Sequence, residues 1–378
     1  MAPGPAPSTQ PKRLALFVSF SGTGGVERVT LNLLEGLSLQ PDVTVDLLLV
    51  VGRRGKAPEV PWPSVRVIDL GVRHSQTAIL PLIRYLRRER PDVLMVAKDR
   101  AIRAAILAHW LARVPTRLVG QLHMNMQGYL KGKPFWVRAL RLWPMQWLFP
   151  ALDRIIGVSQ GVVEDTLEIT RMPRDRVIAI ANPVITPGLA DRARAPLLHP
   201  FAAETVPLIV GAGRLTPEKD FPTLIRAFAR LRAERPCRLI IIGEGPLESV
   251  LRAEAAALGV AAEVDFPGFQ ANPFPFMKRA DLFVMSSAWE GSGNVLVEAL
   301  ALGTPVVSTD CPFGPAETLQ GGRYGALVPV GDAEALAKAM AQTLDHPKPP
   351  ERLQEAVRAF EIGYSARRYL EVLFEGLK

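Results

Sequence analysis

Cysteine is nearly absent from this 378-residue chain, with only Cys237 and Cys311, far apart in sequence. That excludes a disulfide framework and the paired-cysteine spacing of a structural zinc site, and it points to a reducing, cytoplasmic compartment. Long apolar runs are missing as well. None approaches the roughly 20 uninterrupted residues that a membrane-crossing helix needs, which excludes a transmembrane protein. Residues 1–11 are rich in Pro and Ala and lack the basic-then-apolar layout of a secretory signal, so they are expected to form a disordered leader. No low-complexity tract or short-period repeat occurs.

What the chain does have is size and apolar content. At 378 residues and 48% hydrophobic it is too long for one ordinary core and suits two domains. Its overall charge of +8 is unevenly placed. Between Lys12 and Val184 there are 25 basic and 14 acidic residues, whereas from Ile185 onward there are 20 and 23. The amino-terminal half carries the whole surplus, which favours an anionic partner such as a phospholipid surface or a phosphorylated substrate. No nucleic-acid-binding motif accompanies that charge, so nucleic acid is not expected as a partner.

Along the chain, apolar runs of strand length alternate with helical periodicity, the pattern of parallel βαβ units. Strands are expected at Leu14–Phe20, Val43–Val51, Val65–Leu70, Val93–Val96, Leu118–Leu122, Arg154–Val158 and Val177–Ile180. After a loop holding Pro183, Pro187, Pro196, Pro200 and Pro207 the pattern restarts. Strands are then expected at Leu208–Gly211, Arg238–Ile242, Val264–Phe266, Leu282–Met285, Pro305–Ser308 and Ala326–Val328. The expectation is an α/β protein of two doubly wound domains, residues 12–184 and 208–350, joined by a linker at 185–207. The last periodic stretch, within 351–378, is one helix too many for the second domain and is expected to cross back onto the first. Open parallel sheets bind ligands beyond the carboxyl ends of their strands, so the site should lie in the cleft between the two.

Three segments stand at such strand ends. Ser19 to Arg28, including Gly24 and Gly25, follows the first strand and opens a helix. It reads either as a cradle of free amides for an anion or as a tight turn needing glycine for geometry. Gly211-Ala212-Gly213-Arg214-Leu215-Thr216-Pro217-Glu218-Lys219-Asp220 holds the equivalent place in the second half. There Arg214 and Lys219 could converge on a diphosphate, the alternative being solvated surface cations. Glu290-Gly291-Ser292-Gly293-Asn294-Val295-Leu296-Val297-Glu298 puts one carboxylate before a helix start and a second one turn inside it. Amides of Gly293, Asn294 and Val295 suit a phosphate, and the carboxylates suit sugar hydroxyls. A carboxylate pair also fits glycosidase acid–base work, or mere complementation of the helix dipole.

Together the Gly-Gly loop, the GxGRLxxEKD segment and the E-x7-E segment resemble the group 1 (GT4) retaining nucleotide-sugar glycosyltransferases, which have the GT-B fold of two Rossmann-like domains facing across a cleft. The resemblance covers Lys12 to Lys378. It implies that Arg214 and Lys219 bind the donor diphosphate, that Glu298 binds the ribose hydroxyls, and that Glu290 binds hydroxyls of the transferred sugar. It also implies that the backbone around Gly268-Phe269-Gln270 holds the base and that Gly24 and Gly25 lie beside the diphosphate and the acceptor. His123, after a first-domain strand, matches a histidine that touches the donor sugar; by itself it reads equally as a hydrogen-bonded strand-end residue. The implied reaction moves a hexose, from a UDP-sugar by family preference, to a saccharide or a polyprenyl-linked or other lipid-linked acceptor in cell-envelope polysaccharide or lipopolysaccharide synthesis.

Breaking a sugar–diphosphate bond builds negative charge on the leaving group, so fixed cations and helix-end amides aimed there lower the barrier. The chain contains no DxD, the usual carboxylate pair for a divalent ion on the diphosphate. Arg214, Lys219 and the turn at Gly293-Asn294 can take its place, so neither a metal nor another cofactor is expected. For a retaining enzyme the resemblance implies attack on the face that the leaving group vacates, with a donor phosphate oxygen taking the acceptor proton. The alternatives are a nucleotide-sugar epimerase of the same architecture and a non-catalytic nucleotide-sugar-binding protein.

Ser308 to Glu317 resembles a loop of members that build lipid-linked or cell-surface saccharides. Cys311 within it reads as a small loop residue rather than a nucleophile. Between Lys131 and Phe149, Lys131, Lys133, Arg138 and Arg141 interleave with Trp136, Trp143 and Trp147, a composition suited to an anionic membrane interface, although some of the aromatics could be core and Pro144 should interrupt the helix. Arg84, Arg87, Arg88 and Arg90 could add to that surface or form a solvated face. The expectation is a cytoplasmic protein, peripheral at the inner face of the membrane.

Overall fold

The computed structural model describes residues 11–20, 24–51 and 57–377. The leader expected at 1–11 lies outside them except for Pro11, as do residues 21–23 of the first glycine loop.

The first sheet is built from β1 (Lys12–Phe20), β2 (Val43–Val51), β3 (Val65–Asp69), β4 (Val93–Ala97), β5 (Arg117–Leu122), β6 (Arg154–Gly157) and β7 (Val177–Ala179). Its order is β3-β2-β1-β4-β5-β6-β7 and every neighbouring pair is parallel. Between the strands run α1 (Gly25–Ser38), α2 (Ile79–Glu89), α3 (Asp99–Ala112), the short α4 (Met126–Leu130), α5 (Phe135–Leu148) and α6 (Gln160–Thr170). These helices cover both faces. Strands buried on both sides must be apolar nearly throughout, and Leu14 to Val18 and Leu47 to Val50 are each at most 1% exposed.

A connection containing α7 (Leu189–Ala193) leads to the second sheet: β8 (Leu208–Ala212), β9 (Arg238–Ile242), β10 (Val264–Asp265), β11 (Leu282–Met285), β12 (Val306–Thr309) and β13 (Ala326–Val328). Its order, β10-β9-β8-β11-β12-β13, is again parallel throughout. Its helices are α8 (Phe221–Glu234), α9 (Glu248–Ala257), α10 (Phe274–Arg279), α11 (Asn294–Ala301), α12 (Pro315–Thr318) and α13 (Ala333–Asp345). Local chemistry sets several of their starts: Ser159 accepts from the Val162 amide at the head of α6, and Asp332 accepts from Glu334 and Ala335 at the head of α13.

The last periodic stretch is not one helix. It divides into α14 (Pro350–Glu355), a turn at Arg358–Phe360 and α15 (Ile362–Phe374). The amides of Val184 and Ile185 both donate to Phe360 O, and Ile362 N returns a bond to Ile185 O. From there α15 docks on α1 and the first sheet, with Ala366, Tyr369, Leu373 and Phe374 in one cluster with Leu33, Leu34, Leu37 and residues of β1 and β2. Gln121 of β5 donates to the Tyr369 hydroxyl at 2.6 Å. The sequence pattern also differs at Pro144, where α5 runs through without interruption. Pro144 has no amide to donate to Leu140 O, so α5 continues past it with one intrahelical bond missing.

Gly36 is where α15 meets α1: a Cβ there would lie 2.7 Å from Ile362 O and 2.9 Å from Ala366 Cβ. Gly36→Val is expected to pry the helices apart and lower stability by about 1–3 kcal/mol, the usual cost of overpacking. Thermal unfolding by circular dichroism checks this, with Gly363→Ala, which has open space around it in the first turn of α15, as a control that should hold or slightly raise stability.

Candidate active site

Both sheets reverse their winding beside their first strand, between β1 and β4 and between β8 and β11. The crevice beyond the carboxyl ends at such a switch point is where a doubly wound sheet receives ligands. The candidate segments leave β1, β5, β8 and β11 at that edge.

In the second sheet the turn after β8 carries Arg214 and Lys219, which leave it in different directions. Lys219 Nζ sits 2.5 Å from Glu290 Oε1, both side chains being largely buried. Ser287 Oγ donates to the same carboxylate oxygen at 2.7 Å, and Ser286 Oγ donates to Lys219 O at 2.9 Å. Arg214 is 78% exposed and pairs with Glu218 at 3.1 Å. The two cations therefore do not converge here. Each takes the nearest carboxylate, one turn away for Arg214 and across to β11 for Lys219.

Gly293 opens α11 at φ +69°, a left-handed conformation that glycine adopts without a Cβ penalty. The first amides of that helix, on Asn294 and Val295, have no intrahelical acceptor. Glu298, one turn inside, is 4% exposed. Beside β9 and β10, the Phe269 amide donates to Glu244 Oε1 and the Phe269 ring is half exposed, while Gln270 Nε2 is turned to Pro267 O.

In the first sheet Gly24 and Gly25 head α1. A Cβ on Gly24 would strike Glu27 Oε2, so a side chain there would have to displace the carboxylate of the helix's own first turn. Glu27 is buried and accepts from Lys98 Nζ at 2.9 Å; Lys98 also donates to Ser19 O at 2.8 Å. Lys98 joins β4 to α3 at φ +74°, ψ 138°, a strained backbone for a residue with a side chain. His123, just after β5, lies near this pair. Among the described residues nothing meets its enclosed Nε2. Burial first and the Lys98 cation second push its pKa down to about 4, against a smaller opposing pull from Glu27. At neutral pH it is a neutral imidazole, able to accept or donate one hydrogen bond but carrying no charge.

The sheets also meet directly. The backbone of His123 abuts Gly291, where a Cβ would strike His123 O. Ser159 Oγ donates to Gly291 O at 2.8 Å, and the Gln160 and Gly161 amides at the head of α6 both donate to the Glu317 carboxylate at 2.9 Å. Arg28 of α1 pairs with Glu298 of α11 at 3.2 Å. The segment beginning Ser308 thus supplies a seam between the sheets through Glu317 and Phe313, whose ring packs on Gly161. Burial raises the Cys311 thiol to about 12, with Glu290 adding to the rise, so it stays protonated.

The structure brings Lys219, Glu290, Gly293, Asn294, Val295 and Glu298 of the second sheet to the same edge as Gly24, Gly25 and His123 of the first. Sequence reasoning did not single out Lys98, Arg192 or Phe274, nor Arg28 except as the end of a quoted motif. The signal available for Arg28 and Lys98 was their position just beyond β1 and β4.

The aromatic and basic residues lie elsewhere, on and just before α5. Trp136, Leu140, Trp143 and Trp147 are each 67–70% exposed, and their spacing puts them on one helical face. Met145, on the opposite side, is buried. None of the three tryptophans is core. Lys131, Lys133 and Arg138 are exposed. Arg141 does not join them: its guanidinium is held by Asp99 of α3 at 2.9 Å and is mostly covered. Among the described residues no helix is long and apolar enough to cross a membrane.

Two tandem doubly wound sheets with ionisable groups gathered along their shared edge define a two-domain α/β enzyme architecture. The pattern of the family described as Glycosyl transferases group 1 matches residues 199–360, and that of Glycosyltransferase Family 4 matches residues 23–187. The chain is 30% identical over 362 residues to the lipopolysaccharide core biosynthesis glycosyltransferase LpsE of Rhizobium meliloti, covering 94% of this chain and 97% of that one. It is 26% identical to the N-acetylgalactosamine-N,N'-diacetylbacillosaminyl-diphospho-undecaprenol 4-alpha-N-acetylgalactosaminyltransferase of Campylobacter jejuni, covering 89% and 91%. Among solved structures it superposes on Anabaena Alr3699/HepE in complex with UDP and glucose with a TM-score of 0.75 at 18% identity, over 96% of this chain and 99% of that one. The chain belongs to the group 1, or GT4, family of glycosyltransferases, and its fold is GT-B.

The depressed His123 pKa has a measurable consequence. The unfolded imidazole takes a proton near pH 6.5 and the folded one near 4, so His123 costs stability as pH falls through that window and nothing above it. His123→Gln should flatten the pH dependence of the urea midpoint between those limits, where one site contributes a slope of at most about 1.4 kcal/mol per pH unit.

Proposed function

We propose that the protein is a retaining, metal-independent hexosyltransferase that takes its sugar from a UDP-sugar and passes it to a lipid-linked or saccharide acceptor of cell-envelope glycan synthesis. The observation that carries this reading is the row of groups at the edge of the second sheet: Lys219 bound to Glu290, with the α11 amides and Glu298 beside them. In this reading Lys219, Arg214 and the α11 amides hold the diphosphate and take up the charge that grows on it as the C1–O bond breaks. Arg214, exposed and loosely paired, turns inward onto the phosphates.

Glu290 accepts from hydroxyls of the transferred sugar, Glu298 from the ribose, and the strand ends at Phe269 and Gln270 border the base. Neutral His123 bonds the sugar at the reacting centre, and Gly24 and Gly25 let the first domain approach the diphosphate closely. The acceptor oxygen bonds C1 on the face that the phosphate leaves, and its proton goes to a departing phosphate oxygen. The products are UDP and the lengthened acceptor. Support for donor and acceptor comes from HepE, solved with UDP and glucose, and from relatives whose names specify lipopolysaccharide core synthesis and a diphospho-undecaprenol substrate.

The acceptor's membrane also fits the first domain. The stripe Trp136, Leu140, Trp143 and Trp147, flanked by exposed Lys131, Lys133 and Arg138, matches an anionic bilayer surface, with rings at the acyl boundary and cations on headgroups. In this reading the enzyme works at the inner face of the cytoplasmic membrane.

Nucleotide release from UDP-, GDP- and ADP-sugars, measured in chelator with and without bacterial lipid extract, tests the reaction. One donor should respond, raised by lipid. Lys219→Ala and Glu290→Gln should each lower kcat by at least about 100-fold with the circular dichroism spectrum unchanged, and near-wild-type turnover in either would sink the assignment. For the membrane face, Trp143→Ser combined with Trp147→Ser should lower co-sedimentation with phosphatidylglycerol vesicles at least about fivefold, since each buried ring contributes on the order of 1 kcal/mol or more.

A further inference from the structure

Glu298 belongs to the second domain, yet the nearest charge to it comes from the first. Arg28 Nη1 stands 3.2 Å from Glu298 Oε1, and the Glu298 side chain is only 5% exposed. A carboxylate withdrawn from water needs a cation or donors close by, or it takes up a proton instead. The charged groups that face it are Arg28 from α1 and Arg192 from α7; burial raises its pKa and both guanidinium groups oppose that rise.

Arg28 is also held in place. Its guanidinium lies over the Phe274 ring at 5.0 Å, and Arg192 stacks on the same ring at 4.6 Å while donating to Ala271 O. Stacking of this kind orients a planar guanidinium that would otherwise sample many rotamers. The helix that presents Arg28 is itself anchored: Asn32 Nδ2 donates to Pro183 O at 2.8 Å, and Gly36 is closed against α15. Arg28 engages one carboxylate oxygen, and a carboxylate offers two oxygens with about four lone-pair positions, so the pair does not exhaust what Glu298 can accept.

We propose that Arg28 is the positioning residue for Glu298, clamping its carboxylate across the domain boundary so that the nucleotide site of the second domain is complete only when the first domain is docked on it. This rests on the reading that Glu298 accepts from the nucleotide's ribose. Donor affinity is then set in part by a residue of the acceptor-side domain that need not touch the donor, and opening of the domains loosens the nucleotide by withdrawing the guanidinium.

The test is calorimetric titration of UDP, with GDP in parallel, into the full-length wild-type protein, Arg28→Gln, Arg28→Lys and Glu298→Gln, from about pH 6 to about pH 9. Wild type should bind with little pH dependence. Arg28→Gln should bind at least about tenfold more weakly at the acid end and regain part of the loss at the alkaline end, because Glu298 without its clamp protonates at higher pH. Arg28→Lys, restoring the charge without the planar fork, should fall between, and unchanged melting temperatures would set aside a folding defect. Arg28→Gln binding UDP as tightly as wild type or tighter across the range, with Glu298→Gln weak, overturns the clamp and leaves the ribose reading standing. Glu298→Gln binding like wild type, or no binding of either nucleotide to wild type, overturns the ribose reading and the clamp with it.

Discussion

A parallel sheet sends every strand out at the same edge, and the rest of this molecule depends on that constraint. Both sheets are apolar through their interiors because helices cover both faces. Polar side chains are therefore expelled to the loops, and the loops at the carboxyl edge are the ones that meet near the switch points. Lys98, His123, Lys219 and Glu290 are all displaced to that edge by the same rule. Their chemistry is a by-product of where an apolar sheet leaves room for charge.

The seam between the domains is polar where the cores are not. It relies on helix ends: the Glu317 carboxylate satisfies two orphan amides at the head of α6, and Ser159 there both caps its own helix and bonds Gly291 O. Such contacts combine a charge with a macrodipole. The covalent and packed tie is different: α15 leaves the second domain and buries Tyr369, Leu373 and Phe374 against the first sheet, which ties the halves together.

Much of this was legible in the chain, for physical reasons. Val43–Val51, Arg238–Ile242, Leu282–Met285 and Ala326–Val328 are strands at the bounds the apolar runs indicate, since a strand covered by helices on both faces is apolar along most of its length. The glycine at position 24 and the Arg-Lys turn after β8 were legible as strand-end motifs. Less legible were the segments whose conformation is decided by neighbours. Pro144 sits inside α5 although it has no amide to bond one turn back, and the final periodic stretch breaks at Arg358–Phe360 where Phe360 O accepts two amides from Val184 and Ile185.

The sequence by itself determined the two-sheet architecture and put Gly24, His123, Arg214, Lys219 and Glu290 at strand ends, because periodicity and turn chemistry act over a few residues. Only the tertiary structure decided how those groups pair. Arg141 reads as one of a row of surface cations and is held by Asp99; Arg214 and Lys219 are neighbours in sequence and face different carboxylates. Arg28 meets Glu298, and the Glu317 carboxylate meets the head of α6, across a boundary that no local pattern encodes. The reason is that ion pairing acts through space, so a pair whose partners lie far apart in sequence appears only once the chain has folded and, for Arg28 and Glu298, once both sheets have docked.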